Sequence, residues 1–249
     1  QPIQFMFRAR VHDEGQKVVL GHVIAPGGGE RDGEEVLDIL VHHPSTAHFL
    51  ATKLCCRFVS DNPPEGLVRR VAATYMQTDG DIRAMLETIY RSPEFWSPEA
   101  YRAKIKTPFE MVASAMRAVN AHVMDGKPLV NQLAQMGEGL YLCEPPTGYQ
   151  DTADAWVSSG ALLQRLNFSL SLAEGRVPGV YIDLSPVLDP VKNDGPGDAR
   201  AVDELAIEVL HDDISAGTRT SLEQAMQQNK LDYTRLVGLI LGSPEFQRR

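Results

Sequence analysis

Apolar residues recur every three or four positions along most of this chain, and the places where that rhythm fails divide it. Behind Pro44, a residue suited to the first turn of a helix, Leu50, Leu54 and Phe58 fall on one side of a helix predicted over 46–59. Pro63-Pro64 breaks the chain, and Leu67, Val68, Val71, Ala72, Tyr75 and Met76 resume the helical spacing. Thr78 and Asp81 open a further helix with the stripe Ile82, Met85, Leu86, Ile89 and Tyr90. Thr107-Pro108-Phe109-Glu110 joins an N-cap, an N1 proline and an N3 glutamate. It predicts a helix with the apolar face Phe109, Val112, Ala113, Met116 and Val119. Asp32 and Glu35 have the same capping-box spacing.

The first residues follow a different rule. Ile3 to Val11 and Lys17 to Ile24 are β-prone runs on either side of His12-Asp13-Glu14-Gly15, which predicts a β-hairpin. An isolated hairpin is marginal in water, so it must lean on other chain. Gly27-Gly28-Gly29 ends it. Regularity also stops between Gly137 and Thr152, a Pro/Gly loop carrying Tyr141 and Tyr149, and helical spacing resumes from Asp154 to Glu174. Pro178, Pro186, Pro190 and Pro196, with three glycines, mark 176–198 as the expected linker. The chain therefore reads as mainly α, an irregular multi-helix bundle with a short N-terminal β-hairpin. Its expected parts are a hairpin and Gly-rich joint over 1–30, a main helical domain over 31–175, the linker, and a C-terminal helical segment over 199–249 packing on the main domain.

One pattern occurs twice. Asp81, Met85, Leu86, Ile89 and Ser92-Pro93-Glu94-Phe95 reappear as Asp232, Leu236, Val237, Ile240 and Ser243-Pro244-Glu245-Phe246. A residue before proline avoids the α region, so each helix should stop there. The serine should then cap a new turn while the phenylalanine folds back on the apolar stripe.

Charge narrows the function classes. A net charge of −9, with no long run of basic residues, argues against nucleic acid and against anionic membrane surfaces as main partners. No apolar run approaches the length of a membrane span. Cys55, Cys56 and Cys143 show neither zinc spacing nor an even disulfide framework, and buried thiols are the expected state. The start at Gln1-Pro2-Ile3 reads as a processed form or a fragment.

Five stretches in order resemble a bacterial family catalogued as domain of unknown function number 1800. They are His12 to Gly21, His43-Pro44-Ser45-Thr46-Ala47 running to Lys53-Leu54, Ser92 to Phe95, Pro145 to Tyr149 with Asp154 to Trp156, and Leu241 to Gln247. The resemblance covers nearly the whole chain. It implies the C-terminal half of a protein about twice as long, with an N-terminal helical region missing here. It also implies export, and a sulfatase-like partner protein encoded nearby. It brings no activity and no catalytic residue.

The residues themselves offer few chemical constellations. Asp38, His42, His43 and His48 lie close in sequence, but their spacing does not place them on one face, and no metal site is expected. Helix-end histidines favoured by the dipole account for them. His12-Asp13 reads as a polar turn or as general acid–base machinery. No nucleophile elbow, phosphate-binding loop or dinucleotide fingerprint is present. No cofactor is expected.

The most suggestive feature is the loop ending at Tyr149 with Trp156 beyond it. Aromatics on a stiffened loop, with Arg165 and Asn167 as polar partners, suit a sugar, peptide or protein contact. The competing reading makes Trp156 a core residue and Tyr149 a plug. Three functions stay open: an extracytoplasmic binding or accessory protein, a hydrolase completed by the missing N-terminal half, and a structural component of a surface assembly.

Overall fold

A computed structural model describes residues 4–193, 198–211, 213–229 and 232–249, without the side chains of 192, 193, 198, 199 and 229. The chain is mainly α, and it divides into two compact units, 1–98 and 99–249. No helix among the described residues is long and apolar enough to cross a membrane.

In the first unit, β1 (Lys17–Val19) and β2 (His22–Ile24) pair antiparallel with Val18 opposite Val23. The hairpin thus lies wholly within the second β-prone run and not around His12–Gly15 as expected. Its two-residue turn is Leu20-Gly21, at φ +50° and +84°, the left-handed pair that matches the strand twist. Residue 3 lies outside the described residues. The rest of the first run stays irregular except for a 3₁₀ turn at Ala9–Val11.

Four helices follow: α1 (Arg31–Val41), α2 (Pro44–Phe58), α3 (Glu65–Gln77) and α4 (Ile82–Tyr90). The line of α2 that is buried is Ala47, Ala51 and Cys55, one position round from the expected Leu50, Leu54 and Phe58, which are half-buried. Small side chains at i, i+4 let α3 approach closely, and its Leu67, Val68, Val71 and Tyr75 fill that face. Met85 and Ile89 bring α4 into the same core.

The second unit contains α5 (Pro108–Ala118), α6 (Lys127–Gln135), α7 (Ser159–Ala173), α8 (Ser185–Asn193), α9 (Asp198–Leu210), α10 (Ala216–Asn229) and α11 (Tyr233–Leu241). A second minimal sheet pairs β3 (His122–Val123) with β4 (Val180–Tyr181). Thr107 and Glu110 form the expected capping box on α5. The Pro/Gly stretch 176–198 is more than a connector. It supplies β4 and α8, whose Val187, Leu188 and Val191 join the core, while 194–197 lie outside the described residues. Pro186 sits in the first turn of α8, where its missing N–H costs nothing. Pro190 also falls within this helix.

Each unit closes on the repeated device. Phe95 N donates to Ser92 Oγ and Phe246 N to Ser243 Oγ, both at 3.3 Å, and both serines are buried. The helices before them end at Tyr90 and Leu241. Phe95 folds back edge-on to Tyr90, and Phe246 is buried.

Candidate functional site

Two polar centres stand out, one in each unit. In 1–98 the buried Asp32 does not cap α1. Its Oδ2 takes hydrogen bonds from Lys17 Nζ at 2.8 Å and faces His12 Nε2 at 2.9 Å. Lys17 Nζ also donates to the carbonyls of Asp13 and Gly15, so one lysine ties the His12–Gly15 loop to the helix. The partner of His12 is thus Asp32 and not the adjacent Asp13, whose Oδ1 accepts from Gly15 N. Asp13 closes a local turn.

The Lys17 hydrogen bond, then that of His12, hold the Asp32 carboxyl below its ordinary value near 3.8. A carboxyl lowered on folding stabilises the fold above its unfolded pKa, and that contribution is lost as pH falls through the folded value. Asp32→Asn should therefore lower the melting temperature at pH 7 much more than at pH 3. Equal losses at both pH values would make the contact incidental.

The second centre is assembled by the end of the chain. Residues 104–106 pair with 247–249: Lys106 N donates to Gln247 O at 2.8 Å and Arg249 N to Lys104 O at 2.9 Å, around the bridge of Ile105 with Arg248. Beneath this pairing lies Arg165 of α7, 1% exposed, its guanidinium bonded to Gln247 Oε1 at 2.8 Å and Lys106 O at 2.9 Å. Burial lowers the pKa of Arg165, which makes no ion pair with a carboxylate among the described residues. Its role is to fix the two segments.

Beside the pairing opens a cavity of about 990 Å³, lined by five cationic residues: Arg102, Lys106, Arg117, Arg248 and Arg249. Arg102 is paired with Asp213, and Arg249 with Glu110. Among the described residues, Lys106, Arg117 and Arg248 face no carboxylate at ion-pair distance. Two of the three glutamates on the wall already have partners: Glu110 accepts from Thr107 N besides pairing with Arg249, and Glu245 takes Ser215 N and the Thr218 hydroxyl. Lys106 Nζ stands 3.9 Å above the Phe246 ring centroid. Burial, and secondarily the charge of Arg102, bring its amine down to about 8 against an opposing pull from Glu110. Such a cavity lowers its electrostatic cost by admitting an anion.

The four sequence candidates do not gather into one surface. Tyr149 and Trp156 do meet, ring centroids 5.9 Å apart, and line a recess of about 320 Å³ with Leu142 and Pro145. Tyr149 is half-buried with its hydroxyl donating to Gly139 O, and Trp156 is buried. Arg165 is turned into the 104–106 and 247–249 pairing, and Asn167 is exposed on another, smaller recess with Gln164 and Arg176. Trp156 ends a 3₁₀ turn before Ser158 caps α7, so it lies outside the helix that carries Arg165 and Asn167.

The clustered histidines also part. His42 ends α1 between Asp38 O and Asp79 Oδ1, His43 caps α2 through Ser45 N, and His48 lies 3.5 Å from Glu65. Cys55 is buried, its thiol pushed up to about 11 by that burial, while Cys56 and Cys143 are half-buried.

Sequence reasoning missed Lys106 and its cavity. The available signal was the packing of Lys104, Lys106 and Arg102 just ahead of a helix start, with Arg248-Arg249 at the other end. Nothing local joins those ends.

The model of a family described as protein of unknown function (DUF1800) matches residues 1–248. No curated protein and no solved structure matches the chain.

Proposed function

The chain belongs to the DUF1800 family, whose name assigns no activity, and from that premise we propose that it is a binding protein that holds an anionic small molecule in the basic cavity of residues 99–249. The observation that carries this reading is the trio Lys106, Arg117 and Arg248, cations without carboxylate partners among the described residues, lining one cavity of a chain whose net charge is −9. Carboxylate, sulfate and phosphate groups all fit such donors, with the arginines suited to bidentate contact. The family resemblance supports an extracytoplasmic accessory role beside a sulfatase-like partner. The half-buried Tyr149 over Trp156 is the surface proposed for that partner.

Calorimetric titration with sulfate and with acetate tests the proposal. An anion favours the charged amine and raises its pKa, so affinity is fully present below the free-state value of about 8 and is lost as pH rises from there through the higher value in the complex. Between pH 7 and pH 10 the affinity should fall about tenfold, the worth of one charge-assisted hydrogen bond. Lys106→Gln should show the weaker affinity throughout and flatten the profile, since Arg102, Glu110, Glu208, His211 and Glu245 stay in place. Absence of saturable binding, or a variant indistinguishable from the parent, would overturn it.

A further inference from the structure

We infer that the anion taken by this cavity carries an apolar tail, so that the site is built for a free long-chain carboxylate or a similar amphipathic acid. The inference rests on the anion-binding reading. It comes from a second cavity, about 570 Å³, lined mainly by apolar side chains that include Val112, Met116, Leu129, Val130, Leu133 and Leu140.

The two cavities share Phe109, Ala113, Arg117 and Asn120. Three of these are i, i+4 and i+8 on α5, so a single ridge of that helix borders both spaces. This ridge explains a departure from the sequence pattern. Phe109 and Ala113 were expected to face the core, yet Met111, Val112, Ala115 and Met116 fill it, leaving Phe109 51% exposed and Ala113 half-buried.

On the ridge, Ala113 is a low saddle between the taller Phe109 and Arg117. A ligand with its acid group near Lys106 would cross at Ala113 and lay its chain on Val130 and Leu133. Val123 and Val130, 51% and 42% exposed, leave apolar area on that side in contact with water, which a tail would cover. Both volumes lie in the range of small-molecule sites. A free amphiphile suits this geometry better than a membrane surface, because the cations line a cavity and the chain as a whole is acidic.

The test is a comparison of acetate, octanoate and dodecanoate, below their micellar concentrations, by calorimetry on the parent, Lys106→Gln and Ala113→Phe proteins. Ala113→Leu is held in reserve, and circular dichroism checks each fold. Dodecanoate should bind at least about tenfold more tightly than acetate, a fraction of what full burial of its methylenes would add. Ala113→Phe should abolish the gain with chain length, so that the three ligands bind alike, whereas Lys106→Gln should weaken all three and keep the gain.

Acetate binding with no gain from the longer chains would overturn the inference and leave the anion reading standing. No binding of any anion would remove both. Sedimentation with phosphatidylcholine vesicles containing phosphatidylglycerol, in the absence of dodecanoate binding, would assign the basic cavity to a membrane headgroup and likewise overturn it.

Discussion

Replacing Arg165 with alanine is expected to lower the melting temperature by about 10 °C, the largest loss foreseen for any single side chain here. The guanidinium is almost wholly buried and joins three parts of the second unit: α7, the segment before α5, and the end of the chain. Truncation leaves Gln247 Oε1 and Lys106 O without their donor and opens a void of side-chain size. Hydrogen bonds to a charged group contribute about 1.5–3 kcal/mol each, so losing these two costs on the order of 3–6 kcal/mol. For a chain of this size, each kcal/mol moves the midpoint by about 2–4 °C. Arg165→Met should fall between alanine and the parent, because it fills the volume and removes the desolvated charge but still leaves two acceptors unmet. Thermal unfolding followed by circular dichroism reads both. If alanine cost less than about 1 kcal/mol, water would be replacing the guanidinium and the segment would be held by its backbone pairing alone.

Gly238→Leu is the second large effect, an expected loss of about 3 kcal/mol in urea denaturation. A Cβ at Gly238 would stand 3.0 Å from the Cα of Leu170 and 3.0 Å from its Cδ2, with the Ala173 Cβ at 3.4 Å. Here α11 crosses α7, and one of the obstructing atoms is backbone, so the two helices must separate to admit any side chain. Overpacking of this kind costs about 1–3 kcal/mol and sometimes more. Gly242 provides the contrast. Its Cβ would meet Leu166 Cδ1 at 2.6 Å, but that atom is the end of a flexible side chain. Gly242→Ala should therefore cost less than Gly238→Ala. The opposite order would mean that α11 slides along α7 and the close approach sets nothing.

Part of the local structure in both units was written in single short windows. Thr107-Pro108-Phe109-Glu110 became a capping box because all its contacts lie within four residues. Ser92 and Ser243 cap as expected for the same reason. Asp32 failed as a cap although its spacing to Glu35 was right. Two residues earlier in the chain, His12 and Lys17, offered its carboxylate better partners than the backbone N–H groups of α1. The expected hairpin shifted for a related reason. Gly21 supplies the left-handed turn position inside the second β-prone run, while the Lys17 side chain, from β1, binds carbonyls of the loop that had looked like the turn.

Along α5 the periodicity identified the helix but not which part of its wide apolar arc would be covered. That choice depends on what packs against it. The four proposed binding residues show the same division: Tyr149 and Trp156 are brought together by the loop, whereas Arg165 and Asn167 leave them because the helix begins only after Trp156.

What the sequence determined by itself was the class of the fold, some helix starts and stops such as those at Thr107, Ser92 and Ser243, the resemblance to a family, and the absence of the charge pattern that nucleic acid requires. These follow from backbone preferences and side-chain periodicity, forces that act within a turn or two of helix. The tertiary structure alone decided the division after Pro98, the incorporation of α8 into the core, and the cavity around Lys106. The cavity needs Lys106 beside Gln247 and above Phe246, with Arg165 beneath the same pairing. Such neighbours come from distant parts of the chain, and which of them meet is set by the burial of the whole core, a sum over many side chains that no local window contains.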